Sequence, residues 1–175
     1  TISLSTKTTN GTGIGSYVSS ISGLEPGVKY YVRAYATNAN GTSYGDEVSL
    51  TTTAVKPTVK TSDATDVTTS SAKVGGNVTA TGGAEVNERG IVWSTSQNPT
   101  TENNKVQIGE GLGEFHTALA DLSIATTYYV RAYAINSVGT SYGEEISFTT
   151  GSAKPTVTTV SPSEVTSSSA VSGGN

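Results

Sequence analysis

The sequence predicts an all-β protein built from tandem seven-stranded antiparallel β-sandwiches, and three observations predict it. The stretch YYVRAYATNANGTSYGDEVSLTT, from Tyr30, recurs from Tyr128 as YYVRAYAINSVGTSYGEEISFTT, with 17 of 23 positions identical. Thr and Ser make up about a third of the chain, whereas charged residues make up only 14%, against about 25% in typical domains. Short segments of alternating polarity are separated by turn residues, which is typical of a sandwich of short strands.

The repeat has a constant spacing along the chain. Tyr30 and Tyr128 are 98 residues apart, and so are Lys56 and Lys154. A period of this length is the size of a domain rather than of a solenoid turn. We therefore divide the chain into the C-terminal part of one repeat (1–55), a complete repeat (56–153) and the N-terminal strands of a third (154–175). We expect neighbouring sequence of the same chain to complete the partial repeats, with strand donation between chains as the alternative.

The complete repeat contains seven candidate strands. Pro57 opens the first, where its missing N–H costs least. The others are predicted at 71–80, 86–96, 105–108, 114–119, 127–136 and 141–150. Alternation along 127–136 predicts an inner face of Tyr128, Val130, Ala132 and Ala134 and a mostly outer face of Tyr129, Arg131, Tyr133 and Ile135.

The segment LEPGVKYYVRAYATNANG, residues 24–41, resembles the second half of a fibronectin type III domain. The second copy matches at Leu122, Tyr128, Val130, Asn136 and Gly139, while Ile124 and Ala125 replace Pro26 and Gly27. The repeats also look like those of large surface proteins, including adhesins, of Bacteroidetes. The resemblance implies a fibronectin type III or immunoglobulin-like sandwich. It departs at Trp93, which lies on the third strand, whereas the family usually has Trp on the second.

The same resemblance implies a structural role for the repeated tyrosine that follows the corner Leu. In such domains its hydroxyl bonds to nearby backbone, an arrangement called the tyrosine corner. Tyr30 and Tyr128 are therefore expected to be structural.

Composition excludes several classes of partner. The formal net charge of −4 argues against nucleic acid, which attracts basic surfaces. No polybasic segment favours an anionic membrane, and no apolar run predicts membrane insertion. The chain has no Cys, so disulfides and thiol chemistry are excluded.

A stripe of aromatic and arginine side chains is the one candidate binding face. It consists of Tyr31, Arg33 and Tyr35 in the first copy and Tyr129, Arg131 and Tyr133 in the second. Exposed aromatic rings could stack on a surface glycan or a protein partner. Alternatively, each Arg stacks on its own neighbours and covers its own sheet.

No group of residues predicts catalysis, a cofactor or a metal. His116 has no His or Cys partner, and the Gly-rich stretches 11–16 and 109–114 precede strands rather than helices, unlike phosphate loops. The acidic pairs Asp46-Glu47 and Glu144-Glu145 are interpreted as solvated edges, with calcium as the alternative.

These patterns predict a non-catalytic extracellular module, at a bacterial surface or secreted. Its expected role is a semi-rigid stalk or filament segment of an adhesin, with neighbouring repeats of the same chain as partners. One alternative is a glycan- or protein-binding module that uses the stripe or the loops at the ends of the sandwich. Another is a spacer domain of a secreted polysaccharide-degrading enzyme.

Overall fold

The computed structural model of the chain describes residues 6–175, and every helix or strand assigned in that range is a β-strand. No helix there is long and apolar enough to cross a membrane. The strands are β1 (Lys29–Val32), β2 (Tyr35–Asn38), β3 (Gly41–Tyr44), β4 (Val48–Thr51), β5 (Thr58–Thr65), β6 (Ala72–Ala80), β7 (Val86–Ser94), β8 (Asn104–Gly109), β9 (Gly113–Leu119), β10 (Thr127–Asn136), β11 (Gly139–Tyr142), β12 (Ile146–Thr149), β13 (Thr159–Ser163) and β14 (Val171–Gly174).

The central segment, residues 56–153, forms a sandwich of two antiparallel sheets. One sheet has the order β5-β6-β9. The other has the order β11-β10-β7-β8, and β12 also pairs with β10. Because β11 and β12 follow each other along the same edge of β10, they occupy one strand position. The predicted seven strand positions and the all-β sandwich are therefore confirmed.

Side chains from both sheets fill the core between them. They include Val59, Val74, Val78, Ile91, Phe115, Leu119, Val130 and Phe148, with Trp93 packed against the edge of the cluster. The predicted inner face of β10 is buried at all four of its positions. The opposite face is less exposed than alternation suggests, because Tyr133 on that face is also fully buried.

The last strand position is broken, where the sequence predicts one strand over 141–150. At the break, Thr61 of β5 reaches β10, and the backbone N–H of Ala132 donates to Thr61 Oγ1 at 3.0 Å. A Cβ on Gly143 would lie 2.5 Å from both the backbone N and Oγ1 of Thr61. The strand therefore bends around this threonine, and glycine makes room for it.

The N-terminal segment, residues 6–55, forms fewer strands than its counterpart. β1 pairs with β4 and β2 pairs with β3. Each of the two long strands predicted for the repeated stretch is therefore interrupted in this segment. In the central segment β7 pairs along almost the whole of β10 and keeps it continuous; the N-terminal segment lacks that strand. Residues 16–21, the counterpart of part of β9, form no strand; within residues 6–55 there is no counterpart of β6 for them to pair with.

The C-terminal segment, residues 154–175, forms the hairpin β13–β14. Thr159 pairs with Gly174 and Ser163 with Val171, as Thr61 pairs with Gly76 and Thr65 with Lys73 in the central segment. The register is thus preserved at the spacing of 98, and Val171 stands at the position of Lys73. All residues from 155 onward are exposed.

Candidate functional site

The candidate binding stripe of β10 is occupied by contacts within its own sheet. Arg131 Nε donates to the carbonyl of Gly143 at 3.0 Å, and the guanidinium lies 4.8 Å from the ring centroid of Tyr142. Tyr129 is only partly exposed. The guanidinium of Arg131 is therefore already stacked and hydrogen-bonded within its own sheet, and binding of a ligand would have to compete with these contacts.

Tyr133, the third residue of that stripe, does not present its ring to solvent. Its relative exposure is 0%. The ring packs over Gly90, where a Cβ would lie 2.9 Å from Tyr133 Cε1, and the hydroxyl donates to Glu88 Oε1 at 2.7 Å. As a ligand-stacking residue Tyr133 was a wrong choice, because glycine on the neighbouring strand creates a slot that buries it.

Glu88, Tyr133 and Lys105 form a small polar cluster on the outer face of this sheet. Lys105 Nζ lies 3.0 Å from Glu88 Oε1 and 5.8 Å from the Tyr133 ring centroid. Hydrogen bonds first from Tyr133 and then from Lys105 hold the pKa of Glu88 below its ordinary value. Burial and then the bond to this carboxylate raise the pKa of Tyr133.

The loop between β7 and β8, residues 95–103, closes the outer face of this sheet. The Thr101 amide donates to Tyr142 Oη at 3.0 Å, and the Asn98 amide donates to the Glu145 carboxylate. Tyr142 pairs with Tyr133 and shares its outer face, and β11 lies beyond β10 from β7. The loop must therefore cross over β10. Pro99 in the loop is fully buried, and so is Val92, which pairs with Arg131 and shares its outer face.

The stripe in the N-terminal segment repeats the internal stacking. Arg33 Nε donates to the Gly45 carbonyl at 2.9 Å, and the guanidinium lies 5.3 Å from the Tyr44 ring centroid. Tyr31 is 51% exposed, and Lys29 Nζ lies 5.2 Å from its ring centroid. Tyr35 donates its hydroxyl to the Thr8 carbonyl at 3.1 Å. Part of the covering loop's counterpart, residues 1–5, lies outside the described residues.

The two corner tyrosines make the same contact in both copies. Glu25 N–H donates to Tyr30 Oη at 2.8 Å, and Ser123 N–H donates to Tyr128 Oη at 3.0 Å. Both rings are buried. This is the backbone contact expected of a tyrosine corner.

The remaining candidates do not form a chemical site in the part of the chain that is described. His116 is exposed on β9. No three His, Cys, Asp or Glu side chains among residues 6–175 converge in a way that could hold a metal ion.

The glycine-rich stretch 109–114 has a role that the sequence reasoning missed. Arg89 Nη1 donates to the carbonyls of Gly111, Leu112 and Gly113 at 3.3, 2.7 and 3.0 Å. Its guanidinium lies 5.2 Å from the Phe115 ring centroid. Arg89 thus closes one end of the core. Its alternation with Ile91 and Trp93 was the sequence signal that it points inward.

The linker between the N-terminal and central segments is held at both ends. Thr52 Oγ1 donates to the Glu25 carbonyl at 2.6 Å. Val55 N–H donates to the Gly82 carbonyl at 2.8 Å. Only residues 53 and 54 lie between these two anchored residues.

Asn136 holds the linker from the side of the central segment, and sequence reasoning assigned it no such role. Its Nδ2 donates to the carbonyls of Val55 and Thr81, at 2.8 and 2.9 Å. Its Oδ1 accepts from the backbone N–H groups of Val138 and Gly139. The side chain is 3% exposed, so these bonds are shielded from water.

No family model and no curated protein matches the chain. Among solved structures it is similar to domains d3–d4 of the rat CD45 extracellular region, with 17% identity and a TM-score of 0.52 over 85% of this chain and 79% of that one. The fold is a fibronectin type III-like β-sandwich. Other solved structures similar to the chain include fibronectin type III-like domains. The fourth fibronectin type III domain of a human protein has 21% identity and a TM-score of 0.47, covering 61% of this chain and 89% of that one. The sensor domain of the anti-sigma factor RsgI4 of Pseudobacteroides cellulosolvens has 18% identity and a TM-score of 0.47, covering 57% of this chain and 98% of that one.

Proposed function

We propose that the chain is a non-catalytic structural module in which tandem sandwich repeats, divided at 55/56 and 153/154, form a semi-rigid segment of an extracellular stalk. The observation that carries this proposal is the anchored linker. Thr52 is bound to its own repeat and Val55 to the next repeat, with two residues between them. A connection this short, with hydrogen bonds at both ends, limits the angles that neighbouring repeats can adopt.

The geometry of a sandwich suits the role of a spacer. The strands of the central segment reach 10 residues in length. At roughly 3.3 Å per residue, each repeat would add on the order of 30–35 Å to the length of a stalk. Extension then depends on the number of repeats and the stiffness of each junction.

The ligand-binding alternative has less support in the central segment. Tyr133 is buried, Arg131 is stacked on Tyr142, and the loop 95–103 crosses the outer face of the sheet. A planar sugar-binding platform needs exposed aromatic rings, and this face offers only the partly exposed Tyr129 and Tyr142; the Tyr142 ring already stacks with Arg131.

We assign the stalk to the surface of a bacterial cell, as part of an adhesin. Support comes from the resemblance of the repeated motif to bacterial surface repeats. The Thr- and Ser-rich composition without Cys is compatible with that environment. A spacer in a secreted polysaccharide-degrading enzyme would require the same physical properties.

Two measurements test the proposal. Residual dipolar couplings on the full chain should fit one alignment tensor for residues 28–51 and 58–149, and two independent tensors would contradict a semi-rigid junction. Antibodies raised against the chain should label intact cells of the source organism. Labelling only after the cells are permeabilised would contradict the surface location.

A further inference from the structure

The junction between the N-terminal and central segments contains a contact between two glycine turns. Gly27, at φ +68°, lies against Gly83, at φ +82°. A Cβ on Gly27 would lie 2.2 Å from the Gly83 carbonyl oxygen, and a Cβ on Gly83 would lie 2.3 Å from the Pro26 carbonyl oxygen. Neither position can carry a side chain unless the opposite backbone moves.

The hydrogen bond that anchors the linker lies beside this contact. Gly82 accepts from Val55, and a Cβ on Gly82 would lie 2.2 Å from the Val55 carbonyl oxygen. The turn of residues 81–83 therefore meets the preceding repeat in two places: the turn of residues 26–27 and the end of the linker.

The corresponding turn of the central segment cannot make the same contact. At the spacing of 98, Ile124 and Ala125 replace Pro26 and Gly27. Ala125 has φ +48° and carries the Cβ for which the first junction has no space. Ile124 is 54% exposed.

We infer that the residue at this turn position determines how closely a repeat docks on the next one. Glycine, as at Gly27, permits backbone contact with the turn of residues 81–83 and gives a locked junction. Alanine, as at Ala125, keeps the backbones apart and gives a wider, more mobile junction after the central repeat. The partner of this surface is the turn of another repeat of the same kind. The inference rests on the proposed spacer function and adds that junctions of two kinds occur along one chain.

Hydrogen exchange of the Val55 amide, measured by NMR on the full chain, tests the inference. In the wild-type chain this amide should be protected, because it is bonded across the junction. Gly27→Ala should accelerate its exchange about tenfold or more, since the added methyl separates the two turns. Gly83→Ala should do the same from the other side of the contact.

Matched controls separate the contact from backbone strain. Gly23 has φ +74°, close to that of Gly27, and nothing lies within 4 Å of its Cβ position. Gly111, at φ +73° and also in open space, serves the same purpose for Gly83. Gly23→Ala and Gly111→Ala should leave Val55 exchange unchanged.

Two further amides report whether each segment remains folded. Protection of the Glu25 amide, bonded to Tyr30, reports on the N-terminal segment, and protection of the Ser123 amide, bonded to Tyr128, reports on the central one. If Gly27→Ala also exposes Glu25, Gly83→Ala decides the question.

Each outcome has a distinct meaning. Faster exchange at Val55 in both junction variants, with the controls unchanged, supports the inference. Unchanged exchange at a protected Val55, or equal acceleration in the controls, overturns the rule for glycine but leaves the spacer proposal standing. An unprotected Val55 in the wild-type chain overturns both.

Discussion

At the scale of single residues, two tyrosines of β10 use their hydroxyls in opposite hydrogen-bonding roles, one as acceptor and one as donor. Tyr128 accepts a hydrogen bond from the backbone of Ser123, whereas Tyr133 donates one to the carboxylate of Glu88. The first fixes the corner before β10. The second lies on the outer face and links β10 to β7. Each can be tested separately, because the substitution of Tyr by Phe keeps the ring and removes only the hydroxyl.

Tyr128→Phe should destabilise the central sandwich by roughly 1–3 kcal/mol, because the Ser123 amide loses its acceptor. Chemical denaturation followed by tryptophan fluorescence measures the change, since Trp93 is the only tryptophan and lies in this sandwich. Tyr129→Phe is the control, as no bond to the Tyr129 hydroxyl is seen in the described residues. An unchanged midpoint for Tyr128→Phe would argue against the tyrosine corner.

The Glu88–Tyr133 pair should make stability depend on pH on the acid side. The folded state lowers the pKa of Glu88, so its contribution is present above the ordinary carboxyl pKa near 4.5 and is lost as pH falls through the lower folded value. Tyr133→Phe removes the principal bond. The stability difference between wild type and Tyr133→Phe should be largest at neutral pH and shrink on acidification. A difference that is constant with pH would count against this coupling.

The same pair predicts the response to alkali. The raised pKa of Tyr133 means that its contribution is complete below the ordinary tyrosine pKa and is lost as pH rises through the folded value. In a spectrophotometric titration, one tyrosine should ionise later than the rest, and Tyr133→Phe should remove that late step. Loss of an early step instead would contradict the assignment.

At the scale of elements, the loop 95–103 decides whether the sheet face is a binding platform. Tyr142→Phe removes the acceptor for the Thr101 amide, so this amide should exchange faster while the β6 and β9 amides keep their protection. Tyr129→Phe is again the control, because it changes the same face without touching the loop. Equal protection of Thr101 in Tyr142→Phe and wild type would show that the loop is not held by this bond.

The strands could be predicted from sequence because their signals are local or repeated. Alternation placed Val130 and Ala132 in the core, whereas the sequence left the register of the tail open and the pairing of β13 with β14 decides it. The break at Gly143 could not be predicted, since it depends on Thr61 from a different sheet. The covering loop and the Arg89 contacts with residues 111–113 were missed for the same reason: their partners are distant in sequence and no periodic pattern marks them.

At the scale of the whole molecule, stiffness depends on how the N-terminal and central segments are joined. The sequence predicted a semi-rigid array, but Asn136 and the paired glycine turns are contacts between segments that no single repeat reveals. Asn136→Asp tests how much the Asn136 side chain contributes to holding the junction. The carboxylate keeps the acceptor for Val138 and Gly139 but loses both donations to Val55 and Thr81. Exchange at Val55 should rise, whereas Asn38→Asp, whose side chain only accepts from Asn40, should leave it unchanged.

A distance measurement between spin labels on the two segments shows whether the junction between them is semi-rigid. The chain has no Cys, so Ser43→Cys with Lys73→Cys, both at exposed strand positions, gives one label in each segment. Lys73→Cys with Ser147→Cys gives the reference width within one sandwich, and a flexible Gly-Ser insertion after Ala54 gives the width of a loose junction. A semi-rigid junction predicts a single narrow distance distribution for the first pair, close in width to the reference and clearly narrower than that of the insertion variant. A distribution as broad as that of the insertion variant would contradict it.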